Sequence, residues 1–311
     1  MANFTAKDVN ELRKSTGVGM MDCKKALTEA DGDVEKAMVI LREKGLATQA
    51  KKAGRAAAEG IVMSKVNADN TVGVVVEVNS ETDFVAKNDE FKAFVSTVAD
   101  TIMEKNPADV ETLLATTATG SDKTIKEIYD DLFLKIRENM QIRRFVRLEG
   151  ILVPYVHGDG QIGVMVKLES NLPASAELLE CGKNVALQVA ALNAPYLNKE
   201  AVPADVIENE KTIILAQMAE DPKMASKPEQ VKVKIAEGKV GKYYSENCLL
   251  EQEYVKDGEF TVKKYVDSVA KKLGGEIKVV DYIRYERGEG VQKKEDNFAD
   301  EVASMANMNK Q

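Results

Sequence analysis

Apolar positions follow two patterns along the chain. In the first stretch they recur every three or four residues, the spacing that lines one face of a helix. Thr5 caps a helix to about Ser15, with Val9 and Leu12 one turn apart. Gly17-Val18-Gly19 breaks it. Met20, Cys23, Ala26 and Leu27 line a second helix, which Asp31-Gly32-Asp33 ends. Val34, Ala37, Met38 and Leu41 line a third, with Gly45 as its C-cap. Residues 1–45 therefore predict a three-helix bundle, a size that is marginal alone and commonly serves binding. Residues 46–59 carry almost no large apolar side chain and read as a linker, partly helical through its alanines.

The pattern then changes to strand-like alternation, and it repeats. Gly60 to Asn79 and Gly150 to Glu169, offset by 90 residues, are identical at 7 of 20 positions. These are Gly60/Gly150, Ile61/Ile151, Val66/Val156, Asp69/Asp159, Gly73/Gly163, Val74/Val164 and Val76/Val166. Each block is a strand, a tight Asp/Asn/Gly turn and a β-branched strand, hence a hairpin. A helix follows each, about Asn88 to Glu104 and Ala174 to Asn193, with Val95 matching Val185 and Ile102 matching Leu192. The fold class is α+β: two related core halves, each a helix packed on an antiparallel sheet.

Between the halves, Ile125, Ile128, Leu132 and Ile136 line a helix from Thr124 to Asn139, after a loop over 115–120. The second half is interrupted. Pro203 to Glu220 and the stretch from Pro228 predict two antiparallel helices, a hairpin about 25 Å long. Its thin apolar stripe lies on the core or pairs with a second copy. Strands return at Cys248-Leu249-Leu250 and over Glu276 to Tyr285. Gly288-Glu289-Gly290 breaks the chain, and Phe298, Val302 and Met305 share one face of a last short helix. The expected division is 1–45, 46–59, 60–148, 149–202 with 248–287, 203–247 and 288–311.

Composition narrows the function. Lys+Arg 43 against Asp+Glu 51 gives a net charge of −8, which argues against general phosphate-backbone binding. Residues 1–58 hold 11 basic and 8 acidic side chains, so the remainder carries the acidity. The longest apolar run is about five residues where a membrane helix needs about 20. The first residues show no apolar signal core, so a cytoplasmic protein is expected. Three separated cysteines, Cys23, Cys181 and Cys248, read as buried or free thiols rather than a disulfide frame or zinc site. With one histidine, His157, the usual parts of metal and triad chemistry are scarce.

Three stretches invite chemistry. Gly158-Asp159-Gly160-Gln161-Ile162-Gly163 matches GxGxxG, but a strand follows it where a dinucleotide fold needs a helix, so no cofactor is expected. Glu77, Glu81, Asp83, Asp89 and Glu90 cluster near the first hairpin without a companion nucleophile or metal ligand; a solvated loop and helix-start acids are the commoner case. Thr82-Asp83-Phe84-Val85 follows a buried strand and precedes a helix. Phenylalanine is more often core than contact, yet this one sits in a polar connection. A Phe beside an Asp on a rigid elbow would act as a wedge. His157, at the corresponding turn of the other half, would point to the same side, or be a satisfied structural histidine.

Two long stretches, Gly19-Met20-Met21-Asp22-Cys23-Lys24-Lys25-Ala26-Leu27 and Glu81-Thr82-Asp83-Phe84-Val85-Ala86-Lys87-Asn88, resemble the signature segments of the bacterial elongation factor Ts family. The resemblance extends through Ile142-Arg143-Arg144, Tyr155-Val156-His157, Glu237-Gly238-Lys239 and Gly288-Glu289-Gly290. Ser80, Gln161 and Glu253 depart from the family's usual residues. The resemblance implies a ubiquitin-associated (UBA-like) three-helix domain at 1–45, two core subdomains, an inserted coiled-coil hairpin that dimerises in some members, and a C-terminal module. It implies guanine-nucleotide exchange on elongation factor Tu, with loss of GDP and Mg²⁺, and no reaction catalysed by the chain itself. In that reading Thr82, Asp83, Phe84 and Val85 form the release wedge, and Lys24, His157 and Phe298 make further partner contacts. No metal, cofactor, nucleic acid or membrane is implied. The rivals are a peptide-binding or chaperone-like interaction protein using the helical module, and an enzyme using the carboxylates or the glycine turn.

Overall fold

The computed structural model describes residues 3–221, 224 and 227–291. Phe298, Val302, Met305 and their expected helix lie outside the described residues.

Thr5 and Asp8 close a capping box that starts α1 (Ala6–Thr16), and Gly17 ends it at φ 70°. With α2 (Met20–Glu29) and α3 (Val34–Lys52) it encloses a core of Val9, Leu12, Cys23, Ala26, Leu27, Ala37 and Leu41. The helix expected to stop at Gly45 continues to Lys52, so the first part of the expected linker is helical. Gly45 has no positive φ. It is a point of close approach, where an added Cβ would overlap Leu134.

The first half contains β1 (Glu59–Val66), β2 (Val72–Ser80), the short helix α4 (Asp83–Lys87), α5 (Asp89–Lys105), α6 (Val110–Ala115), α7 (Ile125–Ile136) and β3 (Met140–Glu149). The sheet runs β1-β2-β3, all antiparallel. One face carries Val74, Val76 and Val78 against Phe91, Phe94, Val95 and Val98 of α5. The expected end of α7 at Asn139 moves back to Ile136, because Arg137 takes a left-handed conformation at φ 61°.

The second half opens with β4 (Ile151–His157), β5 (Ile162–Ser170) and α8 (Ala176–Leu192). The inserted helices α9 (Ala204–Glu220) and α10 (Glu229–Asn247) bury Ile214, Met218, Ala236 and Val240 in one cluster. Then come β6 (Glu253–Tyr254), β7 (Asp257–Thr261), α11 (Val262–Leu273) and β8 (Ile277–Glu286). The second sheet runs β4-β5-β8. The strand expected at Cys248-Leu249-Leu250 is instead a 3₁₀ turn over Leu249–Glu251, with Cys248 making one isolated bridge to Tyr196.

The inner faces of the two sheets meet at Val62, Val75, Leu152 and Met165, all buried, and the helices lie outside. The repeat has a physical basis. Gly60 and Gly150 both hold positive φ, 119° and 135°. Gly73 faces Leu152 and Met165, and Gly163 faces Val62 and Val75, so each keeps the opposite sheet close. The pairing shifts register at Glu77/Val78 in one sheet and at Lys167/Leu168 in the other, the same place in the repeat. The structure is thus α+β with small antiparallel sheets, as expected. Among the described residues no helix is long and apolar enough to cross a membrane.

Candidate partner-binding site

The stretch Thr82-Asp83-Phe84-Val85 forms a rigid elbow between β2 and α5. Thr82 caps α4, its hydroxyl accepting from the N–H of Val85. Asn88 caps α5 immediately afterwards, accepting from Glu90 and Phe91 at 2.8 and 3.2 Å. Val85 and Ala86 are each 6% exposed and anchor the elbow in the first core, while Phe84 is 80% exposed. Of the two roles open to Phe84, the structure takes the exposed one. Its neighbours fill the core positions, so the ring faces solvent.

Asp83 accepts from the Lys87 ammonium at 2.6 Å, one helical turn away. That hydrogen bond holds its carboxyl below the usual carboxylate range.

Beneath the elbow lies a set of contacts that the sequence did not reveal. Glu138 accepts from the Thr82 backbone N–H at 3.1 Å and from its hydroxyl at 3.0 Å. Glu81 accepts from the N–H of Asn139 at 2.6 Å and pairs with Arg55 at 3.3 Å. The Asn139 amide donates to the carbonyl of Arg55 at 2.8 Å. These partners lie 26 to 84 residues apart. Locally, the polar run Arg137-Glu138-Asn139 directly after the apolar stripe of α7 is all that marks the place.

His157 ends β4 and is exposed, its Nδ1 lying 3.0 Å from the Tyr155 hydroxyl. The turn after it, at Gly158, Asp159 and Gly160, uses positive φ throughout. The carbonyl of Gly160 accepts from the N–H of Val62 at 2.8 Å. The turn therefore sits over the start of β1, where Glu59 pairs with Ser80 and Ile61 with Val78. The elbow leaves β2 at that same end, so the structure brings the His157 turn and the Phe84 elbow to one end of the sheet pair. Lys24 is exposed on α2, in the separate three-helix unit. Phe298 lies outside the described residues.

The carboxylates do not form one site. Glu77 is buried between the sheets, paired to Arg143 at 3.0 Å and Arg144 at 2.7 Å. Glu81 belongs to the elbow contacts, Asp83 pairs with Lys87, and Glu90 pairs with Lys135 at 2.9 Å. The GxGxxG segment is the β4–β5 turn.

Residues 81–289 match the family model described as elongation factor TS. Elongation factor Ts of Clostridium perfringens (strain SM101 / Type A) is 48% identical over 305 residues, covering 97% of this chain and 99% of that protein. This chain belongs to the elongation factor Ts family. The corresponding protein of Clostridioides difficile (strain 630) is also 48% identical, with the same coverage. That of Syntrophotalea carbinolica (strain DSM 2380 / NBRC 103641 / GraBd1) is 47% identical over 305 residues. The family match begins at Glu81, so the elbow and the His157 turn both fall inside it.

Proposed function

We propose that this elongation factor Ts family member drives GDP, and with it Mg²⁺, out of elongation factor Tu by presenting Phe84 as a wedge. Membership of the family makes the chain a nucleotide exchange factor of translation elongation. The observation that carries the wedge is the 80% exposure of Phe84 on an elbow that the next two residues, Val85 and Ala86, anchor in the core. A mobile loop would lose that geometry, and a buried ring would offer no contact.

The wedge works by linkage. A GTPase holds its nucleotide through a phosphate loop and Mg²⁺. A factor that favours a partner conformation lacking that geometry weakens nucleotide binding as much as nucleotide weakens the factor. A 10⁴-fold effect takes about 5.5 kcal/mol of differential binding. Burying one phenylalanine supplies roughly 1.5–3 kcal/mol. Phe84 therefore shares the work with Asp83, His157, Lys24 and the segment around Phe298. No bond is made or broken by the chain, which acts in the cytoplasm without a cofactor of its own.

The same reading gives the other parts their roles. The three helices over 1–45 act as a UBA-like docking domain on the partner's nucleotide-binding domain. Residues 60–148 and 149–202 with 248–287 are the core subdomains, and 288–311 packs on the partner. The α9–α10 pair, residues 203–247, is a coiled-coil hairpin through which a homodimer forms.

The test is stopped-flow release of fluorescent GDP from elongation factor Tu at fixed Mg²⁺. Acceleration by the wild type, sharply reduced in Phe84→Ala, supports the wedge. Equal acceleration by both removes Phe84 from the mechanism. No acceleration at any concentration overturns exchange and favours an interaction protein.

A further inference from the structure

We infer that Arg137-Glu138-Asn139, the junction between α7 and β3, is a positioning element that ties the Phe84 elbow to the N-terminal helices. The inference rests on the exchange reading above and concerns how that site is held.

Three consecutive residues reach both neighbours, alongside the Arg55–Glu81 pair at 3.3 Å and the Gln49–Asp130 hydrogen bond at 3.0 Å. Glu138 takes the backbone N–H and hydroxyl of Thr82, at 3.1 and 3.0 Å. In return Glu81 takes the backbone N–H of Asn139 at 2.6 Å. The exchange is reciprocal, so neither segment shifts without breaking charge-assisted hydrogen bonds in both directions. Asn139 also donates to the Arg55 carbonyl at 2.8 Å, holding the turn that follows α3. Arg137 faces the other way. Its guanidinium pairs with Asp22 of α2 at 2.7 Å, and its carbonyl accepts from Lys52, the last residue of α3. Its left-handed backbone, φ 61°, turns the chain so that adjacent side chains serve opposite neighbours.

A second contact supports this link. Gly45 of α3 packs so closely on Leu134 of α7 that a methyl group there would overlap it. The three-helix unit therefore rests on the same helix whose end holds the elbow. A partner gripping Lys24 and its neighbours on α2 while receiving Phe84 meets two groups at a fixed spacing. Binding at the first then orients the second. Loss of the junction is expected to leave partner binding largely intact while misplacing the wedge.

The measurement is GDP release from elongation factor Tu across factor concentration, for wild type, Glu138→Ala, Glu138→Gln, Asp22→Ala and the Asp22→Ala/Glu138→Ala double variant. Glu138→Ala is expected to lower the saturating rate about tenfold, the loss of a few hydrogen bonds' worth of orientation. Its half-saturating concentration changes less than about threefold. Glu138→Gln keeps one acceptor and recovers part of the rate. The double variant falls short of the product of the single effects, because both act through one junction. The chain has no tryptophan, so Phe84→Trp places a single reporter on the elbow. Its fluorescence anisotropy in the free protein is expected to drop when Glu138→Ala is added. If Glu138→Ala fails to fold, Glu138→Gln carries the same comparison. A wild-type saturating rate with unchanged anisotropy overturns the inference, as does a loss confined to the half-saturating concentration. If the wild type itself gives no acceleration, the exchange reading fails, while the anisotropy comparison still decides whether the junction holds the elbow.

Discussion

The buried carboxylate of Glu77, on the first sheet, accepts a 2.8 Å hydrogen bond from the backbone N–H of Gly288, just beyond the last strand of the second. Asn79, Arg143 and Arg144 complete its shell, and Arg144 also reaches Glu289 at 3.0 Å and stacks over Tyr285. Gly288 lies against the carbonyl of Ala58, where a side chain would collide. The Gly288-Glu289-Gly290 break is thus a clasp between the halves.

This clasp sets a pH dependence. Burial pushes the Glu77 carboxyl up, but the Gly288 N–H, Asn79 and the two arginines outweigh it, so the carboxyl titrates below its ordinary value. A depressed carboxyl contributes stability that is complete above the unfolded value, about 4.3, and is lost as pH falls through the folded one. Glu77→Gln is expected to cost about 2–4 kcal/mol at neutral pH, since it leaves two arginines facing an uncharged group. It should also flatten the decline of stability below about pH 4. Urea unfolding across an acid series reads both effects.

Adjacent residues of the elbow should separate function from stability. Phe84→Ala removes an exposed ring and is expected to change stability by less than about 0.5 kcal/mol. Val85→Ala empties part of the core and should cost about 2 kcal/mol. Thermal unfolding measures each. A large stability loss in Phe84→Ala would show that the ring packs against the chain rather than facing a partner.

The face-to-face packing of the sheets predicts that Gly163 tolerates no side chain. An added Cβ would overlap Val62 and come within 3.6 Å of Val75. Gly163→Ala should destabilise by about 1–3 kcal/mol through overpacking. Gly54→Ala, where an added Cβ meets nothing within 4 Å, should be nearly neutral by comparison. Denaturant midpoints of the two variants test this.

The three cysteines should be silent in the native protein. Cys23, Cys181 and Cys248 are all buried and free. Burial raises each thiol, that of Cys181 to about 11. The thiolate is the reactive form, so a thiol reagent at about pH 8 should modify few or none within minutes. Unfolding in guanidinium chloride should release all three.

Much of this fold is written in local patterns. Helical stripes predicted α1, α2, α5, α8, α9 and α10 near their observed positions, because a residue three or four places away on a helix is its physical neighbour. The repeated hairpins were legible for the same reason, their strands pairing across short turns. The short elements α4, α6, β6 and β7 have no such pattern, and β3 and α11 are hidden for other reasons. Strand β3 carries Arg143, Arg144 and Arg147, which look solvated until the fold brings Glu77 beside the first two, from 66 residues away in the case of Arg143, and the Met103 carbonyl beside the third. Helix α11 has Val262, Val266 and Ala270 on one buried face, a readable stripe that the expectation of returning strands obscured.

Sequence alone determined the α+β class, the internal repeat, the family and the exposed-elbow candidate, because each rests on spacing within a segment. Tertiary structure alone decided that Gly45 is a contact point rather than a helix end, that Phe84 faces solvent while Val85 does not, and that Glu138 holds the elbow. These outcomes depend on which distant groups share a space. The pairing of Thr82 with Glu138, 56 residues apart, exists only once α7 has packed on the core.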